Sequence, residues 1–259
     1  MLFAILAIIA YLGALLWITP TLVHVETAQK PNIKAVLALG IVAVVLHAIN
    51  AFQHLWLGNG QNFTIANVGS LISVCISAVA TFSLTRWKTI WFPLSVIYAL
   101  GIVTVALSSF IEGSFVKQLA EDAGLLFHLA MAIFSYALFF IALLYAIQLK
   151  WLDSRLKNKK MAFSSVLPPL MTVNRHFFTL TLSAQTLLTL TLVTGMIYLH
   201  NFFAAEQIHK AIFSFIAWLI YSILLLGQWK LHWRGNRVLI YSISGMILLT
   251  FAYFGSRMV

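Results

Sequence analysis

Eight stretches of roughly twenty consecutive apolar residues decide what this chain can become. They fall at Leu2–Val23, Ala35–Trp56, Ile65–Leu84, Ile90–Phe110, Gly124–Trp151, Phe177–Leu199, Ala211–Trp229 and Val238–Gly255. Each is long enough to cross ~30 Å of hydrocarbon as a helix. The runs are continuous rather than alternating, and about twice the length of a barrel strand, which excludes a β-barrel. Only 8% of the residues are charged, against about 25% in soluble domains, so no soluble surface could be clothed. The fold class expected is all-α, a polytopic membrane bundle of about eight helices forming one membrane domain over residues 1–259. The first run has no basic residue before Lys30, so it reads as a retained span and not as a cleaved signal.

Lys and Arg give the orientation. Thirteen of the sixteen lie in alternate loops: Lys30 and Lys34, Arg86 and Lys88, six between Lys150 and Arg175, and Lys230, Arg234 and Arg237. The other side has Lys117, Lys210 and Arg257. The basic side is expected to be cytoplasmic, with both termini outside. Residues 152–175 then form a basic cytoplasmic loop, a topology anchor that could also dock a partner or anionic lipid. The net charge of +10 is spread over short loops without a basic helix, which argues against nucleic acid.

Chemistry-bearing residues are few. Cys75 is the only cysteine, so there is neither an internal disulfide nor a CxxC relay. The six carboxylates lie at loops or span ends, which disfavours an acid-driven ion pump or a hydrolase. Histidine is the exception, with eight in so apolar a chain. His54, His128, His200 and His209 fall toward the outer side; His24, His176 and His232 fall toward the inner side. His47 lies inside the second span and shares a helical face with Asn50 and His54. That stripe either packs against neighbouring helices or lines a polar chamber. His47 and His54 are about 10 Å apart along the axis, too far to ligate one iron together. Neutral imidazole is a ready ligand for haem iron.

The segment His128-Leu-Ala-Met-Ala-Ile-Phe-Ser-Tyr-Ala137 resembles the HxxM…SYA helix of the cytochrome c assembly protein family, the CcsA/CcmC-like haem-handling membrane proteins. Ala217-Trp-Leu-Ile-Tyr221, Trp233-Arg-Gly235 and Ala252-Tyr-Phe-Gly255 are similar, in order, to that family's C-terminal pair of spans. The family's tryptophan-rich WWD segment would fall before the seventh span. Here that place reads Leu199-His-Asn-Phe-Phe-Ala-Ala-Glu-Gln-Ile-His209, without tryptophan, and no outward histidine follows the last span. The pattern is most similar to the short, eight-span YpjD and HemX type of member.

The resemblance implies a non-enzymatic, haem-handling protein of the bacterial inner membrane, with b-type haem as cofactor and His128 as an outward axial ligand. His209, ahead of the seventh span, is the candidate opposite ligand, and His54 and His47 are further cofactor-binding candidates. Haem, membrane lipid and other membrane or cytochrome-assembly proteins are the partners expected. Two other readings remain open: a cofactor-free accessory or regulatory subunit, HemX-like, partnering haem synthesis or a transporter; and a di-haem quinol-reactive subunit.

Overall fold

A computed structural model describes residues 1–23, 32–57, 60–87, 89–111, 113, 115–117, 122–157, 168–198 and 208–254. Eight helices are present there: α1 Leu2–Val23, α2 Ile33–Leu55, α3 Ile65–Ser83, α4 Trp91–Phe110, α5 Ala123–Lys157, α6 Leu170–Tyr198, α7 Ile208–Leu231 and α8 Asn236–Phe254. All eight are long and apolar enough to cross a membrane. His24, His200, Gly255, residues 199–207 and residues 158–167 of the basic loop lie outside the described residues.

Local chemistry sets the helix ends. Asn32 caps α2 by accepting from the Lys34 and Ala35 amides. Thr64 accepts from the Asn67 amide at the head of α3, and Asp122 from the Leu125 amide at the head of α5, each satisfying a donor the helix itself leaves unpaired. The loop expected over 152–175 is shorter than its composition suggests. At ~1.5 Å per residue, the 35 residues of α5 outrun a ~30 Å hydrocarbon core. Its polar extension carries Asp153, Arg155 and Lys157 as helix, and α6 already begins at Leu170.

The chain forms two compact units. In the first, α1 to α4 pack through small residues: Ala4, Ala7, Ala10 and Ala14 on α1 and Gly40 and Ala43 on α2 are buried, which lets backbones approach where lipid supplies no hydrophobic drive. Three short strands, β1 Trp56–Leu57, β2 Gly60–Asn62 and β3 Val116–Lys117, form an antiparallel sheet in the order β1-β2-β3 at the α2/α3 end of this unit. Asn62 and Asn67 stitch it down: Asn62 bonds the Gly113 carbonyl and the Phe115 amide, and Asn67 donates to the carbonyls of His54 and Asn62.

The second unit is built on α5. Ser135 donates to the Ala184 carbonyl of α6, Phe139 stacks on Tyr221 of α7 with centroids 3.7 Å apart, and Tyr136 meets Thr250 and the ring of Tyr253 on α8. Between α7 and α8, Gly235 adopts a left-handed φ of 64°, and the Trp233 ring lies over Gly227, where a Cβ would collide with it.

Candidate functional site

A threonine in a helix has one hydroxyl proton, and where that proton goes decides what its partner must be. Thr194 of α6 lies 2.8 Å from the Leu190 carbonyl and 3.1 Å from the Thr191 carbonyl, so its proton is donated back into its own helix. Its oxygen also lies 3.1 Å from Nδ1 of His128 on α5. Thr194 can therefore only accept there, and Nδ1 of His128 carries the hydrogen. In a neutral imidazole the lone pair is then on Nε2. No hydrogen bond to Nε2 is formed among the described residues, and the Thr191 carbonyl, on the same turn of α6 as Thr194, is a second acceptor for the ring. An imidazole fixed by one nitrogen, with the other free as a base or ligand, is the arrangement metal-binding histidines use.

Around this end of the second unit the side chains are apolar and aromatic. Phe127 is exposed beside His128, the Tyr198 ring covers Gly124, and Phe213 of α7 meets Phe251 of α8. These walls and the free nitrogen suit a flat, apolar ligand carrying a metal, so the residues present fit haem.

His209 is placed partly as its proposed role requires. The stack of Phe139 on Tyr221 sets the register of α5 against α7. Counting back from it at ~1.5 Å per residue, His128 and His209 come within about 2 Å of the same depth. Their directions differ. At ~100° per residue, His128 lies within about 20° of Phe139 on its helix, whereas His209 is turned roughly 120° from Tyr221. His209 is exposed, and Lys210 is the residue of α7 on the Tyr221 side at that level.

His47 is held quite differently. It is fully buried in the first unit, with Nδ1 3.1 Å from the Tyr11 hydroxyl of α1 and Nε2 3.0 Å from Ser70 Oγ of α3. Neither ring nitrogen is free, so ligating a metal would break one of these bonds. Asn50 is also fully buried and bonds Ser109 of α4. The stripe read from the sequence thus faces three neighbouring helices. His54 is half-buried at the end of α2, where its carbonyl accepts from Asn67. His176, half-buried, sets its ring edge-on to Tyr145, and His232 sits at the end of α7 with φ 52°. The described residues hold no cluster of three or more His, Cys, Asp or Glu that could hold a metal ion.

Sequence reasoning missed Thr194, which orients His128 from 66 positions away. It also missed a buried polar face on α3, formed by Asn67, Ser70, Ser73, Ser77 and Thr81. Its helical spacing was visible in the residues.

Taken together, fold and site define a multi-pass α-helical membrane protein with a histidine held through Nδ1 near one end of its second helical unit. The residues that suggested a family also hold that unit together: Ser135 and Tyr136 tie α5 to α6 and α8, and Tyr221 donates from α7 to the Ser242 carbonyl of α8. A family model described as "Cytochrome C assembly protein" matches residues 32–259, and the chain belongs to that family. Its curated relatives include "Inner membrane protein YpjD" of Escherichia coli strain K12 and of Escherichia coli O157:H7. Each is 40% identical over 259 residues, covering 99% of this chain and 97% of the relative. No solved structure matches the chain. It is a multi-pass protein of the inner membrane.

Proposed function

We propose that this protein is a haem-binding, non-catalytic member of the cytochrome c assembly family, and that His128 would hold the iron of a b-type haem. The observation that carries the reading is the locked tautomer of His128. Thr194 holds the hydrogen on Nδ1 and leaves the Nε2 lone pair open. When bound, haem supplies a redox-active iron with affinity for neutral imidazole. The chain's own residues supply the rest. His128 presents the nitrogen, Thr194 fixes the ring, and Phe127, Tyr198 and Gly124 offer apolar contact at the same end of the unit. His209 is level with His128 and is the candidate second ligand, provided the head of α7 rotates to bring it inward. The distribution of Lys and Arg puts this end at the outer face, where haem could pass to other membrane or assembly proteins.

The test is the absorption spectrum of protein purified from haem-replete cells. The wild-type chain should show a Soret band, His128→Ala should lose it while still inserting in the membrane, and His232→Ala should keep it. Full haem content in His128→Ala protein ends the proposal.

A further inference from the structure

The first unit contains a polar column that the haem reading does not use. Along one face of α3, Asn67, Ser70, Ser73, Ser77 and Thr81 are all buried. From first to last they cover about 21 Å of helix rise, most of the ~30 Å hydrocarbon thickness. The other three helices answer this face with polar groups of their own. At the sheet end, Ser108 of α4, which also donates to the Val105 carbonyl of its own helix at 3.1 Å, lies 3.4 Å from Ser70, and Asn50 of α2 bonds Ser109. In the middle, Ser70 meets His47 and His47 meets Tyr11. Toward the other end, Tyr98 of α4 bonds Thr81 at 2.9 Å, and its ring lies against that of Tyr11.

Small residues alone would be explained by close helix packing. Two hydroxyls do not fit that account. Ser73 and Ser77 are 1% and 0% exposed, yet among the described residues neither Oγ bonds a carbonyl of its own helix, and Ser73 Oγ has no hydrogen-bond partner. Ser77 lies beside the Tyr11 hydroxyl, at the gap between the His47 network and the Tyr98–Thr81 pair. Buried polar groups in this position are ordinarily met by ordered water.

His47 differs from His128 in the partners it has. Its two neighbours are both hydroxyls, and neither Tyr11 nor Ser70 is shown donating its proton to a helix carbonyl. Either can donate or accept, so both tautomers of His47 are accommodated. No Asp, Glu, Lys or Arg is buried among the described residues of α1 to α4, and His47 is the one fully buried basic group among them.

We propose that the first unit is a hydrated proton path, with water seated at Ser73 and Ser77 and His47 as its relay. In one passage, Nε2 of His47 takes the Ser70 proton as Nδ1 releases its own to the Tyr11 oxygen. Ser70 is reprotonated from the Ser108 side, and the former Tyr11 proton passes to water at Ser77. One proton enters, one leaves, and the ring stays neutral, with its hydrogen now on Nε2. Protons and water are the ligands, and a carboxylate is not needed.

The test uses the purified full chain in liposomes loaded with a pH-sensitive dye, with a potassium diffusion potential driving proton entry. Wild-type protein should admit protons at least fivefold faster than protein-free liposomes. His47→Gln retains hydrogen-bonding groups but cannot relay and should fall to the protein-free rate. Ser73→Ala has no bond to lose, so it should fold normally and still slow the flux severalfold. Thr194→Val, in the other unit, should conduct normally. Wild-type flux equal to that of empty liposomes overturns the proposal, as does wild-type flux through folded His47→Gln or Ser73→Ala. The haem spectrum of these variants should not change, so this result and that of the His128 test are read separately.

Discussion

Replacing Thr194 by Val keeps the shape of the side chain and removes the oxygen that accepts from His128 Nδ1–H at 3.1 Å. The helix carbonyls that Thr194 donates to lose nothing essential, because as main-chain acceptors in α6 they already serve the helix ladder. The loss is therefore concentrated on His128. A neutral hydrogen bond contributes about 0.5–1.5 kcal/mol, which alone is roughly a twofold to tenfold change in affinity. The Thr191 carbonyl stays beside the ring as an acceptor, so the mutation loosens the orientation of His128 without abolishing it. Partners that orient metal-bound histidines typically change affinity by ~10–100-fold. The expected loss in Thr194→Val is therefore about tenfold, near the lower end of that range because His128 itself remains. Thr194→Ser, which can donate to its own helix in the same way, should recover most of it. The assay is titration of haem into detergent-solubilised protein, followed by absorption. Unchanged affinity in Thr194→Val alongside complete loss in His128→Ala would refute the tautomer argument while leaving the ligand in place.

Three further outcomes follow from the same structure. A reporter active only outside the cytoplasm should work when fused after Gly60 and be silent after Lys159; the reverse would invert the sidedness drawn from Lys and Arg. Gly245→Val drives a side chain into the Tyr221 ring, which is stacked on Phe139 and tied to Ser242. Overpacking of this kind costs about 1–3 kcal/mol, so the thermal midpoint should fall measurably, and an unchanged melt would contradict the packing described. Asn67→Leu strips a donor from the carbonyls of His54 and Asn62, at about 1–3 kcal/mol for the buried groups left unpaired. Amide hydrogen exchange at residues 60–63 should accelerate, and full protection there would show that the sheet holds without Asn67.

The spans were legible because hydrocarbon leaves few choices: a long apolar run must be a helix, and its polar flanks mark where it leaves the membrane. What escaped was polar or short. Asp153, Arg155 and Lys157 read as loop although they continue α5, because charge reports contact with water and says little about backbone form. The strand pair β1–β2 encloses Gly58-Asn59 in sequence, a composition typical of two-residue hairpin connections, but strands of two and three residues leave no alternating pattern to read. At the site, HxxM…SYA pointed to His128 but not to the hydroxyl that lies against its ring. Thr194 is one of several threonines along α6, and only the pairing of α5 with α6 selects it. The depth of His209 depends in the same way on one stacked ring pair, Phe139 and Tyr221. Helix contacts made across tens of residues leave little local trace.

Two histidines in one chain show why partner chemistry matters more than residue type or burial. His47 and His128 each have a hydroxyl on Nδ1 at 3.1 Å, and both lie in spanning helices. Thr194 has already donated its proton to the Leu190 carbonyl, so it imposes one tautomer and leaves His128 a fixed, open nitrogen. Tyr11 has made no such commitment, and Ser70 occupies the remaining nitrogen of His47, so that ring has two equivalent states and no opening. A fixed donor–acceptor pattern suits a ligand, which must present the same lone pair each time. A reversible one suits a relay, which must exchange its donor and acceptor sides. The distinction follows from where a neighbour's single proton goes, which neither residue type nor a place in a spanning helix reveals.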